Sequence, residues 1–63
     1  MDISARLVQL RQARELSQQQ LAQRVGMAPS QLNRYERGVS RPGLKTLEKL
    51  ARGLRVEVRD LFW

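Results

Sequence analysis

Gln18-Gln19-Gln20-Leu21-Ala22-Gln23-Arg24-Val25-Gly26-Met27-Ala28-Pro29-Ser30-Gln31-Leu32-Asn33-Arg34-Tyr35-Glu36-Arg37 is the stretch that decides how this chain folds. Ser17, just before it, and Gln20 form a predicted capping box, in which the hydroxyl accepts a first-turn N–H and the Gln20 amide reaches back to the Ser17 N–H. Leu21, Ala22 and Val25 make the inner stripe of a short helix, and Gly26 ends it with a left-handed residue. Pro29 presets the first-turn φ of a second short helix, which carries Leu32 and Tyr35 on one face until Gly38 stops it. Ala28, at its cap position, has no side-chain acceptor, a deficit of about 1 kcal/mol against Ser or Thr. This helix is therefore expected to be anchored by packing.

The two helices are spaced for a steep crossing over a three-residue turn. Leu21 and Val25 supply core residues a turn apart, Ala22 the small residue at the crossing and Gly26 the left-handed ninth position. Met27, Leu32 and Tyr35 are the apolar residues that dock the second helix on the first. An ordinary helical hairpin is the plainer alternative, but it does not select a small residue and a Gly at these places. The unit over residues 18–37 thus reads as a helix-turn-helix.

Outward from it, Asp2 can cap a helix with Ile3, Leu7 and Leu10 inside and Arg6, Gln9, Arg11, Gln12 and Arg14 on the other sides. Gly38-Val39-Ser40-Arg41-Pro42-Gly43 is a loop by turn chemistry. Leu44, Leu47, Leu50, Ala51 and Leu54 then trace a fourth amphipathic helix, and a short fifth runs from Val58 to Phe62. Only Val56-Glu57-Val58 alternates as a strand would. The glutamines at 18, 19, 20 and 23 are interrupted by Leu21 and Ala22 at helical spacing, so they form a solvated helix face. The expected fold is all-α, one domain over residues 1–63, with no repeat or internal linker.

Sixty-three residues permit one small core, and such cores leave roughly 3–5 kcal/mol of net stability. The chain has no Cys and no His, which removes disulfides, thiolate and imidazole metal sites, and Cys- or His-based catalysis. Six scattered acids and no Gly-rich phosphate loop leave no nucleophile, base and orienter to assemble an enzyme. No cofactor or metal is expected. Twelve Lys and Arg against six Asp and Glu give a net charge of +6, a balance that points to a polyanionic partner. Ten of those cations are Arg, whose planar fork suits phosphate and guanine edges. No apolar run reaches membrane-spanning length, about 18 residues. Met1-Asp2-Ile3-Ser4 lacks the blocks of a signal peptide, so a cytoplasmic protein is expected.

The stretch Leu10–Gly26, with Tyr35-Glu36-Arg37-Gly38, Arg41-Pro42, Leu47, Leu50-Ala51 and Leu61, resembles the Cro/C1-type (XRE-like) helix-turn-helix family, with lambdoid phage repressor domains nearest in layout. The resemblance spans Ile3 to Phe62. It implies five helices, the second and third reading double-stranded DNA, and a homodimer on a near-palindromic site. In that docking geometry the third helix lies in the major groove with its N-terminal residues toward the base edges. Its face opposite Leu32 and Tyr35 carries Pro29, Ser30, Asn33, Arg34 and Arg37, with Gln31 at the margin. The family positions for base contact fall on Pro29, Ser30, Gln31 and Arg34. Gln31 or Asn33 can make the paired contact to adenine, and Arg34 the bidentate contact to guanine. Pro29 has no donor and is limited to a thymine methyl.

The same resemblance makes Gln18 the phosphate-contacting residue at a helix N-terminus, and Arg11, Arg37 and Arg41 backbone contacts. It pairs Arg11 with Glu36 across the first and third helices, and it places the dimer contact near the fifth, on Val58, Arg59 and Phe62. Phe62 and Trp63 are otherwise a frayed tip. Arg24, Arg52, Arg55 and Arg59 have no necessary role in DNA contact. Two departures stand out. Glu15 occupies a family Gly position between the first helices, and Gly53-Leu54-Arg55-Val56 replaces the usual Ala-Leu-Gly-Val. Either Arg55 takes a left-handed cap at a cost of about 1 kcal/mol, with Gly53 adding a similar loss inside the helix, or the fourth helix ends early at Gly53. Such punctuation fits a divergent natural member or a designed sequence. The competing function is a protein-interaction module or scaffold that keeps the fold without specific DNA binding.

Overall fold

Four α-helices and a closing 3-10 helix follow one another in the computed structural model, which describes residues 2–62. They are α1 (Ile3–Ala13), α2 (Gln18–Val25), α3 (Pro29–Glu36), α4 (Leu44–Leu54) and the 3-10 helix Val58–Phe62. The short fifth helix expected over Val58 to Phe62 is a 3-10 helix. No strand occurs among the described residues, and Trp63 lies outside them.

Helices α1 and α2 start at side-chain caps. The Asp2 carboxylate accepts the Ser4 N–H at 3.1 Å and opens α1. At α2 the capping box is complete: Ser17 Oγ accepts from the Gln20 N–H at 3.0 Å, and Gln20 Oε1 accepts from the Ser17 N–H at 2.8 Å. Ala28 makes no side-chain cap and Pro29 is the first residue of α3.

The four α-helices all close in the same way. A residue of positive φ follows each: Glu15 (57°), Gly26 (75°), Gly38 (76°) and Arg55 (59°). The next N–H turns back to a carbonyl five residues earlier, Leu16 to Arg11 at 3.2 Å, Met27 to Ala22 at 2.9 Å, Val39 to Arg34 at 3.0 Å and Val56 to Ala51 at 2.9 Å. This is the Schellman arrangement. Gly adopts it freely, whereas Glu15 and Arg55 each carry a Cβ against the following carbonyl at a cost of about 1 kcal/mol. Of the two sequence readings of α4, the left-handed Arg55 is the observed one, and the helix runs past Gly53 to Leu54.

The core joins Leu7 of α1, Leu21, Ala22 and Val25 of α2, Leu32 of α3, Leu47, Leu50, Ala51 and Leu54 of α4, and Leu61 of the 3-10 helix. Helix α2 packs on both α3 and α4, while α1 and α4 hold the 3-10 helix between them. Leu44, expected in the inner stripe, is instead 65% exposed, because the stripe begins only at Leu47. Gly53 is where α2 and α4 approach most closely among the glycine positions. A Cβ there would fall well inside contact distance of Val25 Cγ1 and would also stand 3.4 Å from Leu21 Cδ1. The residue that looked like a propensity loss is the one that lets the helices meet.

Several arginines bind the fold together. Arg14 Nε donates to the Leu54 carbonyl at 2.8 Å and its Nη2 to that of Arg55 at 3.4 Å. Arg24 Nη1 donates to the Gly53 carbonyl at 3.2 Å. Both cations sit on the otherwise unpaired carbonyls at the negative end of α4, where each contributes about 0.3–1 kcal/mol. Arg6 Nε similarly donates to the Asp60 carbonyl at 2.8 Å, fastening α1 to the 3-10 helix. Arg24, which the sequence left without a role in DNA contact, is therefore a structural fastener.

Candidate nucleic-acid interface

Helix α3 has one face in the core and one in solvent. Leu32 is fully buried and Tyr35 half-buried, whereas Pro29, Ser30, Arg34 and Arg37 are exposed, with Gln31 and Asn33 intermediate. The orientation of this helix is fixed by one carboxylate. Glu36, its side chain 4% exposed, accepts from Arg11 Nε at 2.7 Å and Nη2 at 3.1 Å, and from Gln18 Nε2 at 2.9 Å. Helices α1, α2 and α3 are thereby joined at a single charge-assisted node, stronger than neutral hydrogen bonds would make it.

Three of the sequence-derived site residues, Arg11, Gln18 and Asn33, are drawn into or onto this node. Arg11 also donates from Nη1 to the Leu16 carbonyl at 2.7 Å, and its side chain is 13% exposed. Its Nε, Nη1 and Nη2 each give one hydrogen to Glu36 or Leu16, so the Arg11–Glu36 pair implied by the resemblance is present and one N–H on each Nη stays outside these bonds. Asn33 Nδ2 donates to Gln18 Oε1 at 3.4 Å. Gln18 sits at the N-terminus of α2, with one amide hydrogen given to Glu36 and its backbone N–H in the first helical turn.

Arg34 extends from the exposed face and donates from Nε to Ser40 Oγ at 3.2 Å. Arg41 is exposed in the loop before α4. That loop and the 3-10 helix border a common open cleft of about 620 Å³, lined by Asp2, Tyr35, Ser40, Arg41, Pro42 and Phe62. Phe62 is 50% exposed. Val58 is half-buried against the core, and Arg59 pairs with Glu57 at 2.7 Å in solvent. Val39, in the loop, and Leu44, at the start of the α4 stripe, are exposed apolar residues; helical spacing does not tell which end of a stripe leaves the core.

Residues 7–61 match the HTH_3 helix-turn-helix family. The chain belongs to that family. It is similar to the cryptic phage CTXphi transcriptional repressor RstR of Vibrio cholerae, 34% identical over 58 residues, which are 92% of this chain and 52% of the relative. It spans 29% and 52% of the lengths of the curated relatives it matches. Among solved structures it resembles the restriction-modification controller protein C.AhdI of Aeromonas hydrophila, with a TM-score of 0.94, 39% identity and coverage of 97% of this chain and 92% of that one. It also resembles SinR, the master regulator for biofilm formation solved in complex with DNA, with a TM-score of 0.91, 34% identity and coverage of 97% and 98%. The curated relatives are named as a transcriptional regulator and a transcriptional repressor, not as enzymes. No helix among the described residues is long and apolar enough to cross a membrane.

Proposed function

We propose that this chain is the DNA-binding part of a transcriptional repressor and reads double-stranded DNA by placing α3 in the major groove. The observation that carries the reading is the division of α3 itself: Leu32 and Glu36 lock it to the other helices, leaving Ser30 and Arg34 exposed and Gln31 partly so on the face offered to the groove. Arg34 addresses guanine O6 and N7, Gln31 addresses adenine, Ser30 accepts or donates to either, and Pro29 touches a thymine methyl. The α2 N-terminus presents Gln18 to a phosphate through its backbone N–H and remaining amide hydrogen. Arg37 and Arg41 neutralise flanking phosphates.

One such helix covers only a short half-site, so two copies bind together on a near-palindrome, with half-sites about 34–36 Å apart. Arg59 and the exposed Phe62 are the residues of the 3-10 helix available to a second copy, with Val58 contributing its outer edge. That RstR is named a repressor and that SinR was solved with DNA supports this direction.

Selection from randomised duplexes at fixed salt tests it. Enrichment of a palindrome is expected. The logarithm of the binding constant should fall against the logarithm of salt with a slope of about −3.6, for two copies each setting Arg37 and Arg41 on phosphate. Recovery of no common sequence, or a flat salt response, refutes the proposal.

A further inference from the structure

We infer that Ser40 is a positioning residue that presents Arg34 to guanine; the inference rests on the base-reading role of Arg34 proposed above. Ser40 is tied to Arg34 twice. Its backbone N–H donates to the Arg34 carbonyl at 3.3 Å, and its hydroxyl accepts from Arg34 Nε at 3.2 Å. The loop is held in this register from outside. Gly38 turns the chain at positive φ, Val39 N–H returns to the same Arg34 carbonyl at 3.0 Å, and Gly38 is close enough to α1 that a Cβ there would stand 3.5 Å from Ser4 Oγ. The hydroxyl therefore does not find the guanidinium by chance rotation of a mobile loop; the backbone carries it there.

The chemistry of the guanidinium makes the choice of atom consequential. Arginine has two forks, one formed by Nε with Nη2 and one by the two Nη groups, and five N–H donors in all. Ser40 occupies the Nε–H and so closes the side fork. The end fork stays open, and its two parallel N–H donors match the O6 and N7 acceptors on the major-groove edge of guanine. An exposed arginine otherwise loses rotamer freedom when it docks. Ser40 removes part of that loss beforehand and selects the end-on approach, so it sharpens discrimination at a base pair it does not touch.

The test compares the unmodified protein with Ser40→Ala, Ser40→Thr and Arg34→Ala. The duplexes are the selected site and the same site with the guanine contacted by Arg34 changed. The ¹⁵Nε–¹H NMR signal of Arg34 is recorded in the protein without DNA. Ser40→Ala is expected to weaken binding to the selected site about three- to tenfold, to weaken the altered site less, and to leave the salt slope unchanged. It should also exchange away the Arg34 Nε–H signal. Ser40→Thr, which keeps the hydroxyl, should retain both signal and discrimination.

If Arg34→Ala loses discrimination while Ser40→Ala keeps it, the positioning role is overturned and base reading by Arg34 stands. If Arg34→Ala keeps full discrimination, base reading falls, and the inference with it. A Ser40→Ala loss equal on all sequences, with the salt slope reduced by about 0.9 for each lost contact, makes Ser40 a phosphate contact and also overturns the inference. Thermal melts of the variants exclude unfolding as the cause, and the NMR signal in Ser40→Thr remains a readout if Ser40→Ala melts early.

Discussion

Replacing Gly53 by Ala sets helix propensity and packing against each other with opposite signs. Within α4, Ala exceeds Gly by about 1 kcal/mol, so propensity alone makes Gly53→Ala stabilising. The structure gives the opposite sign. The new Cβ would overlap Val25 Cγ1 and press Leu21 Cδ1 at 3.4 Å and Arg24 Cγ at 3.8 Å. Val25 is β-branched and held in essentially one χ1 well in a helix, and Leu21 behind it is fully buried, so neither yields easily. Overpacking of this kind costs about 1–3 kcal/mol; with a stiff neighbour the upper half applies, leaving a net loss of about 1–2 kcal/mol. For a domain this small the melting temperature should fall by roughly 5–15 °C. Urea denaturation followed by circular dichroism measures it. Val25→Ala removes the obstructing methyl, so in that background Gly53→Ala should be neutral or stabilising, a coupling of about 2 kcal/mol. The reasoning is refuted if Gly53→Ala stabilises the unmodified protein, or if its effect is the same in both backgrounds.

Relief of the left-handed residues should work in the other direction. Arg55→Gly and Glu15→Gly are each expected to raise stability by about 1 kcal/mol, as read from urea midpoints; no gain from either would contradict the strain assigned to them. Glu36→Ala leaves Arg11 without its carboxylate in a site only 13% exposed and should cost about 3 kcal/mol, enough to leave much of the chain unfolded in a thermal melt; a loss under about 0.5 kcal/mol, typical of surface pairs, would show that the node does not join the helices. The Asp2 carboxyl is held below its ordinary value, first by its hydrogen bonds from Ser4. Because its folded pKa is depressed, its contribution is present above the unfolded carboxylate pKa and disappears as pH falls through the folded one. Asp2→Asn should remove that part of the acid-side loss of stability, and titration curves of the two proteins that run parallel would exclude it.

The parts of the fold legible in the sequence are those governed by neighbours in the chain. The Ser17–Gln20 box, the Gly26 stop and the Pro29 start depend on residues within four positions, and all occur as read. The parts that escaped depend on residues distant in sequence. Gly53 reads as a weak point until Val25, 28 positions away in the chain, is seen against it. Arg14 and Arg24 look solvated until their carbonyl partners on α4 are located, and no spacing rule connects them. The sequence around Arg55 is compatible with two endings of α4, because the strain at Arg55 is local while the α4 packing that enforces it is not. In the candidate site, the exposed face of α3 was legible from periodicity. The Arg11–Glu36 pair came only from family resemblance, and Ser40 carried no signal at all, being a serine in a loop like any other.

The internal arginines alter what the net charge means for movement on DNA. Arg6, Arg11, Arg14 and Arg24 direct guanidinium donors to carbonyls or a carboxylate of their own fold, so those N–H groups are not free to bond phosphate. Affinity for arbitrary sequence grows with phosphates neutralised, not with arginines counted. On the proposed interface each copy holds random DNA by Arg37 and Arg41 and adds Arg34 only where a guanine meets it. Dwell on wrong sites is therefore short for so basic a chain. A genome's worth of competing sequence sequesters correspondingly little of the protein.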